Sequence, residues 1–388
     1  MTPLRSVPTD SLTTQRDRLR EAKTWVVKVG SNVLVGEGEG VLDRATFVRL
    51  VSELTALASA GRRVVLVSSG AVAVGRRRLG SAPPSGTEPL AHRQALAAIG
   101  QPLLMHHYAE EFAFGGLPVA QVLLSRSDLG DRTRFLNARN TLRALLEAGV
   151  LPIVNENDTV ATAELKFGDN DRLAALVAHT VEADALVILS DIDAVYDADP
   201  RANANATPLE ALWADDPALA SLAGPVGPGN GTGGMASKLA AARIAAERGV
   251  PTCIAAGRTE GVLGQLAAGA AAGTLLMPSD APRSARKAWI AHGAEPAGRV
   301  VVDAGARAAL VERGTSLLAR GVVSVEGAFD AGASVAIVCD GDVFAHGLAG
   351  YSAEDLRTIA GARSAQIRAR LGYENGDAVV HRDDLALL

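Results

Sequence analysis

Gly229-Asn-Gly-Thr-Gly-Gly-Met-Ala-Ser-Lys238 runs four glycines within six residues into an Ala-rich helical segment whose first turn carries a lysine. Glycines let backbone N–H groups crowd around an anion, and a helix start adds unpaired N–H groups and the positive end of its dipole. With the full charge of Lys238 beside them, these groups could hold the phosphates of a nucleotide. The stretch is not a Walker loop, because no Gly-Lys-Ser/Thr closes it at the required spacing. Gly229, Gly231 and Gly234 satisfy G-x-G-x-x-G, but a dinucleotide fingerprint follows a strand, and two prolines break Leu222–Pro228. A plain flexible surface loop is the alternative reading of these residues alone.

Further unusual residues sit where apolar runs end. Val26-Val27-Lys28-Val29-Gly30-Ser31 puts a lysine inside a valine-rich run, costly unless it meets an anion or snorkels out at the end. Val67-Ser68-Ser69-Gly70 places two hydroxyls and a glycine at a second run's end, suited to a carboxylate, a phosphate or a helix cap. Asn155-Glu156-Asn157-Asp158 and Gly168-Asp169-Asn170-Asp171 bring two clusters of acids and amides close in sequence. Capping of a helix start accounts for part of the second cluster but not the first. Carboxylates converging on one pocket suit an ammonium group or a metal, and amides can grip a carboxylate of the same ligand. Ser190-Asp191 ends another run, and Asp191 could stabilise a metal-bound nucleotide. The seven histidines show no metal-ligand spacing and are read as structural.

These residues need a scaffold, and the hydrophobic pattern supplies one. Trp25–Val29, Arg63–Val67, Pro118–Leu124, Leu151–Val154, Ala185–Leu189, Pro251–Ala255 and, more weakly, Thr274–Met277 read as strands, alternating with helical segments such as Arg44–Ala60, Arg134–Ala148, Arg172–Thr180 and Lys238–Arg248. Strands apolar on both faces predict an α/β fold: a mainly parallel sheet between two helical layers, with ligands beyond its carboxyl edge. Residues 1–22 are polar, with arginines at 5, 16, 18 and 20, and read as a disordered extension without a secretory h-region. The expected catalytic domain spans 23–277 and a proline-punctuated linker 278–297. Residues 298–388 carry short runs at Val300–Val302, Gly321–Glu326, Ser334–Cys339 and Ala378–Val380, which predict a small β-rich barrel.

Together these motifs resemble the glutamate 5-kinases, amino acid kinase-fold enzymes that phosphorylate the γ-carboxylate of glutamate in proline biosynthesis. The resemblance rests on Val27-Lys-Val-Gly30, Ser68-Ser-Gly-Ala71, Phe135-Leu-Asn-Ala-Arg139, Asn155-Glu-Asn-Asp158, Gly168-Asp-Asn-Asp171, Ser190-Asp191 and Gly231-Thr-Gly-Gly-Met-Ala-Ser-Lys238. Asp303-Ala-Gly-Ala306, Gly314-Thr-Ser-Leu-Leu318 and Val380-His-Arg-Asp-Asp384 resemble the PUA domain attached to many bacterial members. The chain departs in its longer N-terminus and in Ile192-Asp193, where some relatives carry a lysine. The resemblance implies that Lys28 and Lys238 are catalytic, binding phosphate, and that Ser69, Asp158 and Asn170, with Asp169 and Asp171, hold glutamate. It implies an ATP site at Lys28, Ser190, Asp191, Thr232, Gly233, Gly234, Met235, Ala236, Ser237 and Lys238, with Mg2+ carried in on ATP. It also implies a dimeric or tetrameric homo-oligomer, inhibition by proline, and hand-over of the acyl phosphate to glutamyl phosphate reductase.

Two other readings remain open at this level: another amino acid kinase acting on acetylglutamate, aspartate or carbamate, and an RNA-binding protein acting through the C-terminal barrel. A net charge of −5 and pI near 5.9 give no global basic field for nucleic acid or anionic lipid. Residues 298–388 hold nine arginines, no lysine and twelve acids, which lacks an RNA footprint. No apolar run approaches the ~20 residues that span a bilayer. The two cysteines, Cys253 and Cys339, sit far apart in apolar runs, which favours buried free thiols and a cytoplasmic protein.

Overall fold

The computed structural model describes residues 3–35, 42–80, 88–160, 170–200, 202–203, 205–223, 234–278 and 284–388. They form two compact units, Met1–Leu129 with Thr133–Pro282, and Gly130–Arg132 with Arg283–Leu388. The first unit opens with α1 (Thr9–Glu21), β1 (Thr24–Val29), α2 (Ser31–Leu34), α3 (Arg44–Ser59), β2 (Arg63–Ser68), α4 (Ala71–Leu79) and α5 (Leu90–Phe114). It continues through β3 (Val119–Leu124), α6 (Arg126–Gly130), α7 (Arg132–Glu147), β4 (Leu151–Glu156), α8 (Asn170–Thr180), β5 (Ala185–Ser190) and a short ribbon of β6 (Val195–Tyr196) and β7 (Pro208–Leu209). It closes with β8 (Ala211–Trp213), α9 (Met235–Ala246), β9 (Thr252–Ala256), α10 (Val262–Ala267) and β10 (Thr274–Met277).

Eight of these strands make one sheet in the order β3-β4-β2-β1-β5-β9-β10-β8. The first six in that order are parallel, while β10 pairs antiparallel with β9 and parallel with β8. The chain leaves β1 for β2 on one side and later returns to β5 on the other. The carboxyl end of β1 is therefore a topological switch point, where such sheets open a crevice.

Side chains of a strand alternate between faces, and here both faces are covered. Trp25, Val27 and Val29 join Phe47 and Leu54 of α3 and Tyr108 and Phe112 of α5 in one core. Val26, Val65, Val154, Leu186 and Ile188 join Leu142 of α7, Leu173 and Val177 of α8 and Ile244 of α9 in the other. By the same alternation Lys28 shares the face of Val26, toward α8 and α9.

The expectation of disorder over residues 1–22 is corrected. Residues 9–21 form α1, and Leu19 and Ala22 are buried in the α3/α5 core with Val7 and Leu12 against it. Only a few apolar side chains in a charged segment make this contact, too few to outweigh composition in a sequence reading. Arg5 N–H also donates to Asp216 at 2.6 Å, and Trp213 donates to the Ser6 carbonyl at 3.0 Å.

Two glycines decide how α4 and α5 cross. A Cβ on Gly100 would stand 1.8 Å from the Ala71 carbonyl oxygen and 2.5 Å from the Gly75 nitrogen, and one on Gly75 would stand 2.0 Å from the Leu96 oxygen. Backbone meets backbone there, which brings the next residue, Gln101, to the end of β4.

The second unit runs α11 (Ala285–Ala288), β11 (Gly298–Val302), α12 (Ala304–Arg313), β12 (Leu317–Leu318), β13 (Val322–Gly327), β14 (Ser334–Cys339), β15 (Asp342–Leu348), α13 (Ala353–Ile359), α14 (Ile367–Leu371), β16 (Ala378–Val380) and β17 (Leu385–Leu387). Its five-stranded sheet has the order β13-β11-β14-β15-β17, and β12 pairs with β16. Val300, Val335, Ile337, Leu356, Ile359 and Val379 fill its own core. Both cysteines are buried and free. Among the described residues no helix is long and apolar enough to cross a membrane.

Gly100→Ala should destabilise the first unit by about 1–3 kcal/mol or more, since its Cβ would meet backbone that cannot swing aside. A fall of several degrees in Tm by calorimetry is the expected result.

Candidate active site

Three elements place charges at one buried point. Lys28 comes from β1, Asp171 from the first turn of α8 and Lys238 from the first turn of α9, and their exposures are 4%, 0% and 5%. The Lys28 ammonium pairs with Asp171 Oδ1, and the Lys238 ammonium lies 3.4 Å from Asp171 Oδ2. Ser237 donates its hydroxyl to Asp171 Oδ2 at 2.8 Å. Burial by itself would raise the Asp171 pKa, but Lys28 and then Lys238 outweigh it and hold the carboxyl below its usual range. One carboxylate between two ammonium groups leaves the trio net positive, an arrangement matched to a polyphosphate. Asp171 is thus turned to the lysines.

Beside this cluster lies the expected nucleotide side. Gly234 caps α9, and Met235, Ala236, Ser237 and Lys238 form its opening turn. Thr232 and Gly233 lie outside the described residues. Ser190, buried at the end of β5, donates to Asp191 Oδ1 at 2.9 Å, and Asn32 of α2 donates to Asp191 Oδ2 at 3.0 Å. Half-burial works against the charged form of Asp191, but the Asn32 and Ser190 hydrogen bonds and nearby Lys238 keep its pKa low. Asn32 was not singled out as a site residue in the sequence, since an asparagine after Gly-Ser reads as a turn.

The acceptor side is built from neutral amides. Asn170, at the start of α8, donates from Nδ2 to the Ser68 carbonyl at 2.7 Å, to Ser69 Oγ at 2.8 Å and to Asn155 Oδ1 at 2.8 Å. Asn155 Nδ2 in turn donates to Gln101 Oε1 at 2.8 Å. Ser68 shares a 2.9 Å hydrogen bond with Tyr108 of α5, whose complete burial raises its pKa and keeps it neutral. Asp158 follows β4 and lines a 250 Å³ cavity with Gln101, Gln121 and Glu156. Asp169 lies outside the described residues. Gln101 and Tyr108 carried no motif; their one signal was a shared face of α5 with Leu104, at helical spacing.

The fold and this phosphate-directed site define a class, the amino acid kinases. The amino acid kinase family model matches residues 23–256 and the PUA domain model residues 298–371. Among full-length relatives, glutamate 5-kinase of Pelobacter propionicus is 50% identical over 96% of this chain and 100% of its own length. That of Trichlorobacter lovleyi is 49% identical over 96% and 99%, and that of Escherichia fergusonii 47% over 95% and 99%. The chain belongs to the glutamate 5-kinase family.

Asp171→Asn removes the carboxylate that two buried ammonium groups share and should cost about 3–5 kcal/mol, read as a lower urea midpoint at pH 7. The sign of the pH effect follows from a lowered folded pKa: the stabilisation from Asp171 is full above its unfolded value near ~3.9 and is lost as pH falls through the folded one. Stability of the unaltered protein should therefore fall below about pH 4, and the variant should lack that part of the decline.

Proposed function

We propose that the chain transfers the terminal phosphoryl group of ATP to the γ-carboxylate of L-glutamate, giving L-glutamyl 5-phosphate at the first step of proline biosynthesis. The observation that carries the reading is the pair of buried lysines, Lys28 and Lys238, braced by Asp171 at the switch point of the sheet. Near-50% identity to glutamate 5-kinases over almost the whole chain supports glutamate over acetylglutamate, aspartate or carbamate.

A carboxylate acceptor is already ionised at neutral pH, so the reaction needs no general base. The barrier is electrostatic: an anion attacks a polyanion, and charge gathers on the transferring phosphoryl and the leaving ADP. Lys28 and Lys238 offset that charge, with the backbone N–H groups at the start of α9 around the phosphates. Magnesium carried on ATP would add positive charge at the phosphates, and Asp191, whose carboxyl is held low by Asn32 and Ser190, is the residue that would hold it. Ser69, Asn170 and Asp158 orient glutamate for in-line attack, and the resemblance to the family adds Asp169 to these residues. The enzyme works in the cytoplasm as a homodimer or homotetramer and passes its labile product to glutamyl phosphate reductase. An RNA partner for the C-terminal unit is not favoured, because its acids outnumber its arginines.

ADP release measured across a panel of amino acids should show glutamate as the preferred acceptor; preference for acetylglutamate, aspartate or carbamate would overturn the reading. Lys238→Ala should lower kcat at least a hundredfold, about 3 kcal/mol of transition-state stabilisation, with a much smaller change in KM for glutamate.

Proline shares an α-carboxylate and a cationic nitrogen with glutamate but has no γ-carboxylate to react, so the acceptor pocket should bind it as a dead-end ligand. Inhibition should weaken as glutamate rises, and Asp169→Ala should relieve it. Inhibition indifferent to glutamate concentration removes the shared pocket.

A further inference from the structure

Two backbone groups dictate how Asn155, Asn170 and Gln101 are turned. The Glu156 N–H can only donate, and it donates to Asn155 Oδ1 at 2.9 Å. The Ser68 carbonyl can only accept, so Asn170 must present its nitrogen there. Asn155 therefore faces Gln101 with Nδ2, and Gln101 must answer with Oε1. The Nε2 of Gln101 is left turned away from that chain of bonds, and Gln101 makes no other hydrogen bond to the described residues. Yet Gln101 is only 8% exposed, and it lines the 250 Å³ cavity with Asp158 and Glu156.

We propose that Gln101 is a specificity-determining residue whose Nε2 donates to the α-carboxylate of the acceptor amino acid. A two-proton donor at a buried, low-dielectric position needs an acceptor, and a carboxylate is the strongest available. The rest of the cavity suits the neighbouring ammonium. Asp158 lines it, and so do Ala98 and Pro102 of α5. Pro102 has no N–H, so the Ala98 carbonyl lacks its usual helical donor and can accept instead. The α4/α5 crossing at Gly75 and Gly100 holds this amide in place. The inference rests on the glutamate reading above.

The test compares glutamate with glutamate α-amide, which keeps the γ-carboxylate and replaces the α-carboxylate by a neutral amide. Gln101→Glu keeps an oxygen for Asn155 Nδ2 but sets a carboxylate where the donor was. It should raise KM for glutamate by about tenfold to a hundredfold, leave KM for ATP unchanged, and move the preference from glutamate toward the α-amide. If that variant does not fold, Gln101→Met, similar in volume and without a donor, should raise KM for glutamate about tenfold and change that for the α-amide far less. A glutamate KM within twofold of the unaltered protein, or an equal rise for both acceptors, overturns the proposal. Failure of the unaltered protein to phosphorylate glutamate at all would instead overturn the glutamate reading.

Discussion

Two ammonium groups buried against one carboxylate set the terms for the catalytic unit. A buried charge is costly unless it meets an opposite one, and the Asp171 carboxylate meets both Lys28 and Lys238. The three residues come from β1, α8 and α9, so the cluster exists only if the sheet, its alternation of faces and the packing of two helices on one side are all in place. A site of this kind is preorganised. Its positive charge is present before the nucleotide arrives, and little reorganisation is needed when charge develops on the phosphoryl group.

The acceptor side uses a different principle. Asn170, Asn155 and Gln101 form a chain of neutral amides anchored at both ends by backbone groups with one possible role each. Such a chain turns each side chain in one sense without adding charge near Lys28 and Lys238. Acids are held back to the far end, where Glu156 and Asp158 border the cavity. The residues thus grade from basic at Lys28 and Lys238 to acidic at Glu156 and Asp158.

α5 links this chemistry to the core. Its Tyr108 and Phe112 pack under β1 and β2, while Gln101 and Tyr108 reach up to Asn155 and Ser68. Close packing at Gly75 and Gly100 transmits the position of α4 to those contacts. The second unit has a core of its own and contributes none of the residues assigned to the phosphate or acceptor sides.

The sequence by itself determined the strand and helix alternation, the mainly parallel sheet and the residue types of the site, because valine-rich runs, glycine clusters and stranded polar residues are local signals. Lys28 was legible because a charge inside an apolar strand is costly unless answered. What answers it was not legible. Asp171 lies over a hundred residues along the chain, and only tertiary packing decides that it turns to two lysines. The same holds for Gln101 and Tyr108, ordinary residues of a long helix until the glycine crossing brings them to β4 and β2, and for α1, whose few apolar contacts are hidden by charged neighbours. Local chemistry is written in neighbours along the chain; hydrogen-bond partners and counter-charges are chosen by neighbours in space.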